Sequence, residues 1–315
     1  MDPILRWLLG FWRNEPSLLR VESGGACSED LSQCISSNCI RCAFWGPGGI
    51  AAYYLKRMNA LSLSARLAHR PYDGMILGSV EKVLEMAVDN CLFVHEHGPA
   101  PTCLLVPLPI IVEDVRPFWE PMPEAAGMLG ELWRALLKLA TDVRDIEEEY
   151  RSLADGAFHA KGELVEGGDG MGAWRSFALY NQGVPTTSAA VAPRTIAALE
   201  RVPRLMKSVF GHAYFSIMEK GVAIREHTGP VNFRMRVHIP LFNPPAGCTI
   251  TVGGETRSWR KGEPLMFDDS FPHSVTFRQC QSEEEIPARV VLLFDVFHPH
   301  LTDNQVLFLA DCFAP

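Results

Sequence analysis

The sequence predicts an α+β chain in which a helical and irregular N-terminal part leads into a β-sandwich or small barrel. Three observations point there. Apolar residues recur at spacings of three and four between Met128 and Leu153, the period of an amphipathic helix. From His212 onward, short strand-like runs follow one another, broken by Gly, Pro and Asn. Hydrophobic residues make up 47% of the 315 residues and charged residues 21%, enough for a sizeable core.

The first 120 residues carry short helical patterns such as Ser79–Asn90. Met1–Trp12 is apolar but short, contains Arg6, and lacks a basic leader and a clear cleavage site. It reads as a terminal helix packed on the body, or as a membrane-surface contact. Leu104–Val112 is interrupted by Pro107 and Pro109, and no apolar run reaches the ~20 residues that cross a bilayer. The chain therefore reads as soluble, with no transmembrane span, and its compartment stays open between cytoplasm and secretory-pathway lumen. Nine cysteines are an odd count for a disulfide scaffold. The cluster Cys34, Cys39 and Cys42, with Cys27 nearby, leaves zinc, a disulfide and reduced thiols all open.

Pro99–Pro123 reads as an extended connection, so the division expected is 1–122 for the N-terminal region and 123–315 for the β-rich domain with its leading helix. Met128, Leu132, Leu136, Leu139, Val143, Ile146, Tyr150 and Leu153 form the stripe of one long helix. A Gly-rich loop, Gly162–Gly172, follows, then a second helix over Thr195–Val209 that Pro203 breaks or kinks. The strand candidates are Tyr214–Met218, Asn232–Leu241, Cys248–Val252, Pro264–Phe267, Ser274–Phe277 and Arg289–Val296. Thr302 with Gln305 makes a capping box for a closing helix that runs to Phe313.

A formal net charge of −8 argues against a nucleic-acid partner, which needs a basic stripe. A GxxxxGK[ST] phosphate loop is absent from the sequence. The informative segment is Asn232–Leu241. Phe233, Met235, Val237, Ile239 and Leu241 share one strand face, and Asn232, Arg234, Arg236 and His238 share the other. That polar face either meets water or lines a barrel mouth, where the planar fork of Arg suits a carboxylate. His227 lies just before this strand, and His273 ends Phe267-Asp268-Asp269-Ser270-Phe271-Pro272-His273. Each alone is an ordinary histidine; as a pair on neighbouring strands they suit one Fe(II).

His227-x-Gly-Pro-x-Asn-x-Arg-x-Arg-x-His238, Phe-Asp-Asp-Ser-Phe-x-His273 and Asp295-Val-Phe-His-Pro299 together resemble the aspartyl/asparaginyl β-hydroxylase family. Trp174-Arg-x-Phe-x-Leu and Phe215-Ser-Ile-Met are outlying matches, so the likeness runs from about Trp174 to the C-terminus. Upstream, the Cys34/Cys39/Cys42 cluster is similar to the shorter, membrane-tethered β-hydroxylase-domain proteins. The resemblance implies a double-stranded β-helix (a jelly-roll, cupin-like barrel) with flanking helices. It implies a dioxygenase that uses Fe(II), O2 and the co-substrate 2-oxoglutarate to hydroxylate a C–H bond. His227 and His273 become the iron ligands. Ser216, Arg236, His238 and Arg289 fall where 2-oxoglutarate is held, with Arg289 on its distal carboxylate, and Arg234 falls where the substrate side chain is contacted. Gly229 stands where most such oxygenases place a carboxylate ligand; water would fill that position, held by Asp269. The plainer reading of Gly229 is a turn before Pro230 that needs backbone freedom.

Two departures stand out. The loop between His273 and Arg289 is long and carries Glu283, Glu284 and Glu285, and the helical repeats of larger relatives have no counterpart in the sequence. The substrate expected is the β-carbon of an Asp or Asn residue in a protein. The alternatives are a lipid acyl chain, or a catalytically silent binding module that keeps the barrel.

Overall fold

The computed structural model describes residues 116–160, 165–166, 173–208, 210–229, 231–244, 246–277 and 288–312. Met1–Trp12, Ser79–Asn90, the cysteine cluster and Glu283–Glu285 lie outside the described residues. The barrel belongs to one compact unit, Ile110–Leu301, and the closing helix Asp303–Cys312 belongs to another and is described by itself. Among the described residues no helix is long and apolar enough to cross a membrane.

The apolar stripe folds as two helices rather than one: α1 (Gly127–Thr141) and α2 (Arg144–Ser152). Three poor helix formers in a row, Thr141, Asp142 and Val143, explain the break. The Thr141 hydroxyl donates back to the carbonyls of Leu137 and Lys138, competing with the backbone ladder. The stripe itself still points inward: Leu132, Leu136, Leu139, Val143 and Ile146 are buried.

The segment read as a Gly-rich loop contains a two-residue strand, β3 (Val165–Glu166). It forms because it pairs antiparallel with β7 (Ala223–His227), at the edge of a sheet. The second helix, α3 (Pro193–Leu199), starts earlier and stops well short of the expected Val209. Pro193 supplies a preset first turn. The buried carboxylate of Glu149, on α2, accepts from the backbone N–H groups of Arg194 and Thr195 and from the Thr195 hydroxyl, capping the helix in place of a local side chain.

The strands are β1 (Phe118–Trp119), β2 (His159–Ala160), β4 (Trp174–Asn181), β5 (Val184–Pro185), β6 (Ala213–Met218), β8 (Arg234–Pro240), β9 (Cys248–Val252), β10 (Glu255–Arg257), β11 (Leu265–Phe267), β12 (His273–Phe277) and β13 (Arg289–Phe297), with β3 and β7 as above. An 8-stranded sheet runs β1-β11-β8-β13-β6-β4-β2, with β5 on β4, and a 5-stranded sheet runs β10-β9-β12-β7-β3. From β6 to β13 the chain crosses repeatedly between the two: β6 large, β7 small, β8 large, β9 and β10 small, β11 large, β12 small, β13 large. Two antiparallel sheets wound in this order form a jelly roll.

The large sheet is buried on both faces. Its outer face carries Phe177, Phe215, Met235, Val237, Ile239, Leu292 and Phe294, packed in one core with Leu132, Trp133 and Leu136 of α1. Its inner face carries Met218, Val291, Leu293 and Phe267, which share a second core with Ile224, Ile250, Val252, Val275 and Phe277 of the small sheet. Each large side chain so enclosed contributes on the order of 1.5–3 kcal/mol. The polar alternates of β8 therefore face the barrel interior, not water.

The closing helix α4 (Asp303–Cys312) has its capping box: Thr302 N–H donates to Gln305 Oε1 (2.8 Å) and Gln305 N–H to Thr302 Oγ1 (3.2 Å).

Candidate functional site

His227 ends β7 and His273 begins β12, and the two are register partners across the small sheet. Beyond them the register shifts: His273 opposes His227, but Val275 opposes Ile224, so β7 carries one residue more than its partner over this stretch. Such a bulge re-aims a side chain. It puts His227 on the same face as Ile224, toward the interior, and the imidazole rings lie 4.1 Å apart centre to centre. Each ring is held the same way. His227 Nδ1 bonds to the carbonyl of Arg225 (2.8 Å) and His273 Nδ1 to that of Phe271 (2.9 Å). A carbonyl only accepts, so Nδ1 carries a proton in each ring, and Nε2 is the nitrogen each would offer a metal. Among the described residues no group of three or more His, Cys, Asp or Glu side chains is assembled to hold a metal.

Asp269 is wholly buried beside Gly229, two residues past His227. A Cβ on Gly229 would overlap its carboxylate, and Gly229 N–H donates to the Asp269 carbonyl. Gly229 does not adopt a left-handed backbone. The position needs glycine for space, because Asp269 fills the volume a side chain there would take. Burial alone would raise the Asp269 pKa, but the guanidiniums of Arg234 and Arg236 hold it below the usual carboxylate value. Arg234 donates to Asp269 through Nε and Nη2, and through Nη1 to the carbonyl of Phe210. Arg236 forks onto Asp295, Nε to Oδ1 at 2.9 Å and Nη2 to Oδ2 at 3.1 Å, with Nη1 3.6 Å from Asp269. Asp295 faces Arg236 directly in the β13–β8 register and also accepts from His212 N–H. Arg234 and Arg236 thus form a buried quartet with Asp269 and Asp295, charges balanced.

The third part of the interior is not balanced. Arg289 is 2% exposed, and no carboxylate partners it among the described residues. One nitrogen, Nη2, donates to Ser216 Oγ (2.9 Å), its Cζ lies 4.9 Å from the ring centre of Trp259, and its Nε has no acceptor. Burial lowers its pKa. Ser216 Oγ also accepts from Trp174 Nε1 (3.0 Å). His238 is buried, and its Nδ1 accepts from Trp259 Nε1 (3.0 Å). Burial first, then the charges of Arg289 and Arg236, hold its pKa well below the ordinary histidine value, so the ring is neutral and Nε2 carries the proton. That Nε2–H is buried without an acceptor. A buried cation and orphaned donors on one face fit an anion, a carboxylate above all.

The interior therefore brings together His227 with His273, and Ser216 and His238 with Arg289. Arg236 shares the face but is forked by Asp295, and Arg234 is buried at 2% and held by Asp269 and Phe210. The sequence reading did not single out Asp295, Trp174 or Trp259 for a role. Asp295 and Trp174 stood inside its motifs; Trp259, in the loop between β10 and β11, carried no signal beyond being a tryptophan.

Fold and site define a jelly-roll protein whose interior holds a pair of histidines and a buried arginine with no acid among the described residues. Residues 140–299, just over half of the chain, match the model of the aspartyl/asparaginyl beta-hydroxylase family, and the chain belongs to that family. Human aspartyl/asparaginyl beta-hydroxylase is 35% identical over 192 residues, which is 60% of this chain and 24% of that protein. Aspartate beta-hydroxylase domain-containing protein 2 of Xenopus tropicalis is 38% identical over 146 residues, 46% of this chain and 38% of that protein. The chain thus matches about a quarter to two fifths of the length of these relatives. Among solved structures, a prolyl-4-hydroxylase from Pseudomonas putida aligns over 52% of this chain and 87% of its own, at 15% identity and a TM-score of 0.30, a slight likeness.

Proposed function

We propose that this chain is a hydroxylase that uses Fe(II), O2 and 2-oxoglutarate, acting on the β-carbon of an Asp or Asn residue in a protein substrate. One observation carries the reading: two register-paired histidines, each with Nδ1 tied to a backbone carbonyl, sit in the same barrel interior as a buried Arg289 that has no acid among the described residues. His227 and His273 would hold the iron, and Arg289 and Ser216 a carboxylate of 2-oxoglutarate, with His238 donating from the adjoining strand. When bound, iron and O2 supply the redox chemistry: one oxygen atom enters the C–H bond and the other ends in succinate as CO2 leaves.

The chain's own residues bind and orient. Arg289, already desolvated, forms a charge-assisted contact without stripping water from itself at that moment. Arg236, fixed by Asp295, lines the same face and adds donors. Asp269, kept ionised by Arg234 and Arg236, sets a fixed negative charge beside the histidine pair, where it would orient a water. Family membership supports a protein Asp or Asn side chain as substrate; Arg234, engaged by Asp269 and Phe210, lends that choice no support.

The test is turnover. Protein reconstituted with Fe(II) is given 2-oxoglutarate, O2 and Asp- and Asn-containing peptides. The expected result is succinate formed in step with a peptide mass gain of one oxygen, both lost in His273→Ala. A folded, iron-loaded protein that neither binds 2-oxoglutarate nor forms succinate would overturn the proposal.

A further inference from the structure

We infer that Trp259 is a positioning residue that makes the anion pocket: it sets His238 as an inward hydrogen-bond donor and gives Arg289 a partner that does not neutralise it. The inference rests on the anion-pocket reading above. Trp259 is buried, on the loop between β10 and β11, and it touches both members of the pocket.

Its indole Nε1–H donates to His238 Nδ1 at 3.0 Å, and the two rings lie 19° from parallel. An indole N–H can only donate, so Nδ1 must accept and the proton of the neutral ring is forced onto Nε2. Without that bond the alternative tautomer would place a lone pair on Nε2 and repel a carboxylate. The other contact is with Arg289, whose Cζ lies 4.9 Å from the indole ring centre. Buried arginines usually take an acid, as Arg234 and Arg236 do here. An acid at Arg289 would occupy the guanidinium before any ligand arrived. A tryptophan face stabilises the cation through its quadrupole and leaves the hydrogen-bonding edge open.

Truncation of Trp259 is a poor test, because this side chain, with Leu137, Pro264 and Leu265, also walls a surface cavity of about 500 Å³, which a small residue would open into the barrel. Trp259→Phe keeps a ring against Arg289 and removes the donor. Two readouts are needed: the tautomer of His238, read from long-range 15N–1H NMR correlations, and the Kd for 2-oxoglutarate, with Mn(II) affinity alongside. Wild type is expected to show the Nε2–H tautomer. Trp259→Phe is expected to mix or reverse the tautomers and to weaken 2-oxoglutarate about tenfold, leaving Mn(II) binding unchanged, because a single positioned donor is lost. An Nδ1–H tautomer in wild type would overturn the inference whether or not the variant folds. So would a Trp259→Phe protein with the wild-type tautomer and an unchanged Kd. If wild type does not take up 2-oxoglutarate, the co-substrate reading falls, and the His238 tautomer still decides the role of Trp259.

Discussion

Gly229→Ala is the sharpest perturbation available near the histidine pair. A methyl group there would overlap the Asp269 carboxylate, which cannot move away freely. Arg234 holds it through two nitrogens, Arg236 lies 3.6 Å off, and the backbones of residues 229 and 269 are hydrogen-bonded to each other. Overpacking of this kind costs about 1–3 kcal/mol. At about 2–4 °C per kcal/mol for a domain of this size, the melting temperature of metal-free protein should fall by roughly 2–12 °C. Gly229→Asp should fall further, because a second carboxylate would be forced against the first. The double variant Gly229→Asp/Asp269→Gly separates space from charge: it vacates the volume and supplies a carboxylate near the same place. Scanning calorimetry of wild type, Gly229→Asp, Asp269→Gly and the double variant should show the double variant well above the sum of the single effects. A Gly229→Ala protein that melts within about 1 °C of wild type, or strictly additive singles, would refute the idea that Asp269 fills the place of a side chain at 229.

Two other outcomes follow from charges in the interior. Arg289→Met removes a buried cation that lacks an acid, so the ligand-free protein should melt at or above the wild-type temperature while 2-oxoglutarate affinity falls by about a hundredfold and metal affinity stays; joint loss of stability and both ligands would show that Arg289 is structural. Asp268 is buried, and burial pushes its pKa up to about 7 in the fold against 3.8 in the open chain. Stability from this group is therefore fully present below the unfolded value and is lost as pH rises toward 7. Denaturant titrations should show Asp268→Asn gaining on wild type by on the order of 3 kcal/mol between about pH 4.5 and pH 8; a constant difference across that range would contradict the shift.

What could be read from the sequence was whatever a strict period exposes. Strand β8 was legible because its apolar and polar residues alternate without a fault, and the barrel buries both sets, one under α1 and one inside. β4 went unread because Trp174-Arg-Ser-Phe-Ala-Leu-Tyr-Asn is buried on both faces and mixes helix formers into the strand. β7 went unread because its bulge breaks the alternation at Arg225 and Glu226, the feature that turns His227 inward. The single long helix expected over Met128–Leu153 kept its stripe, but the Thr141-Asp142-Val143 interruption is local and the stripe crosses it. Site residues that depend on pairing across strands were out of reach. Asp295 stands in the wholly buried strand β13, and only the register with β8 shows that it takes Arg236. The register of β11 with β8, which sets Phe267 opposite Arg236, likewise carries Asp269 toward Arg234, the residue read as a substrate contact.

The most direct measurement of the central proposal is a crystal structure of the protein with Fe(II) and 2-oxoglutarate, prepared without O2, with iron located by anomalous scattering. The expected result is one iron peak about 2.1 Å from the Nε2 atoms of both His227 and His273. One carboxylate of 2-oxoglutarate should lie on Arg289 and Ser216, within hydrogen-bond reach of His238. Iron bound elsewhere, or a 2-oxoglutarate carboxylate seated on Arg236 with Arg289 left without an anion, would contradict it.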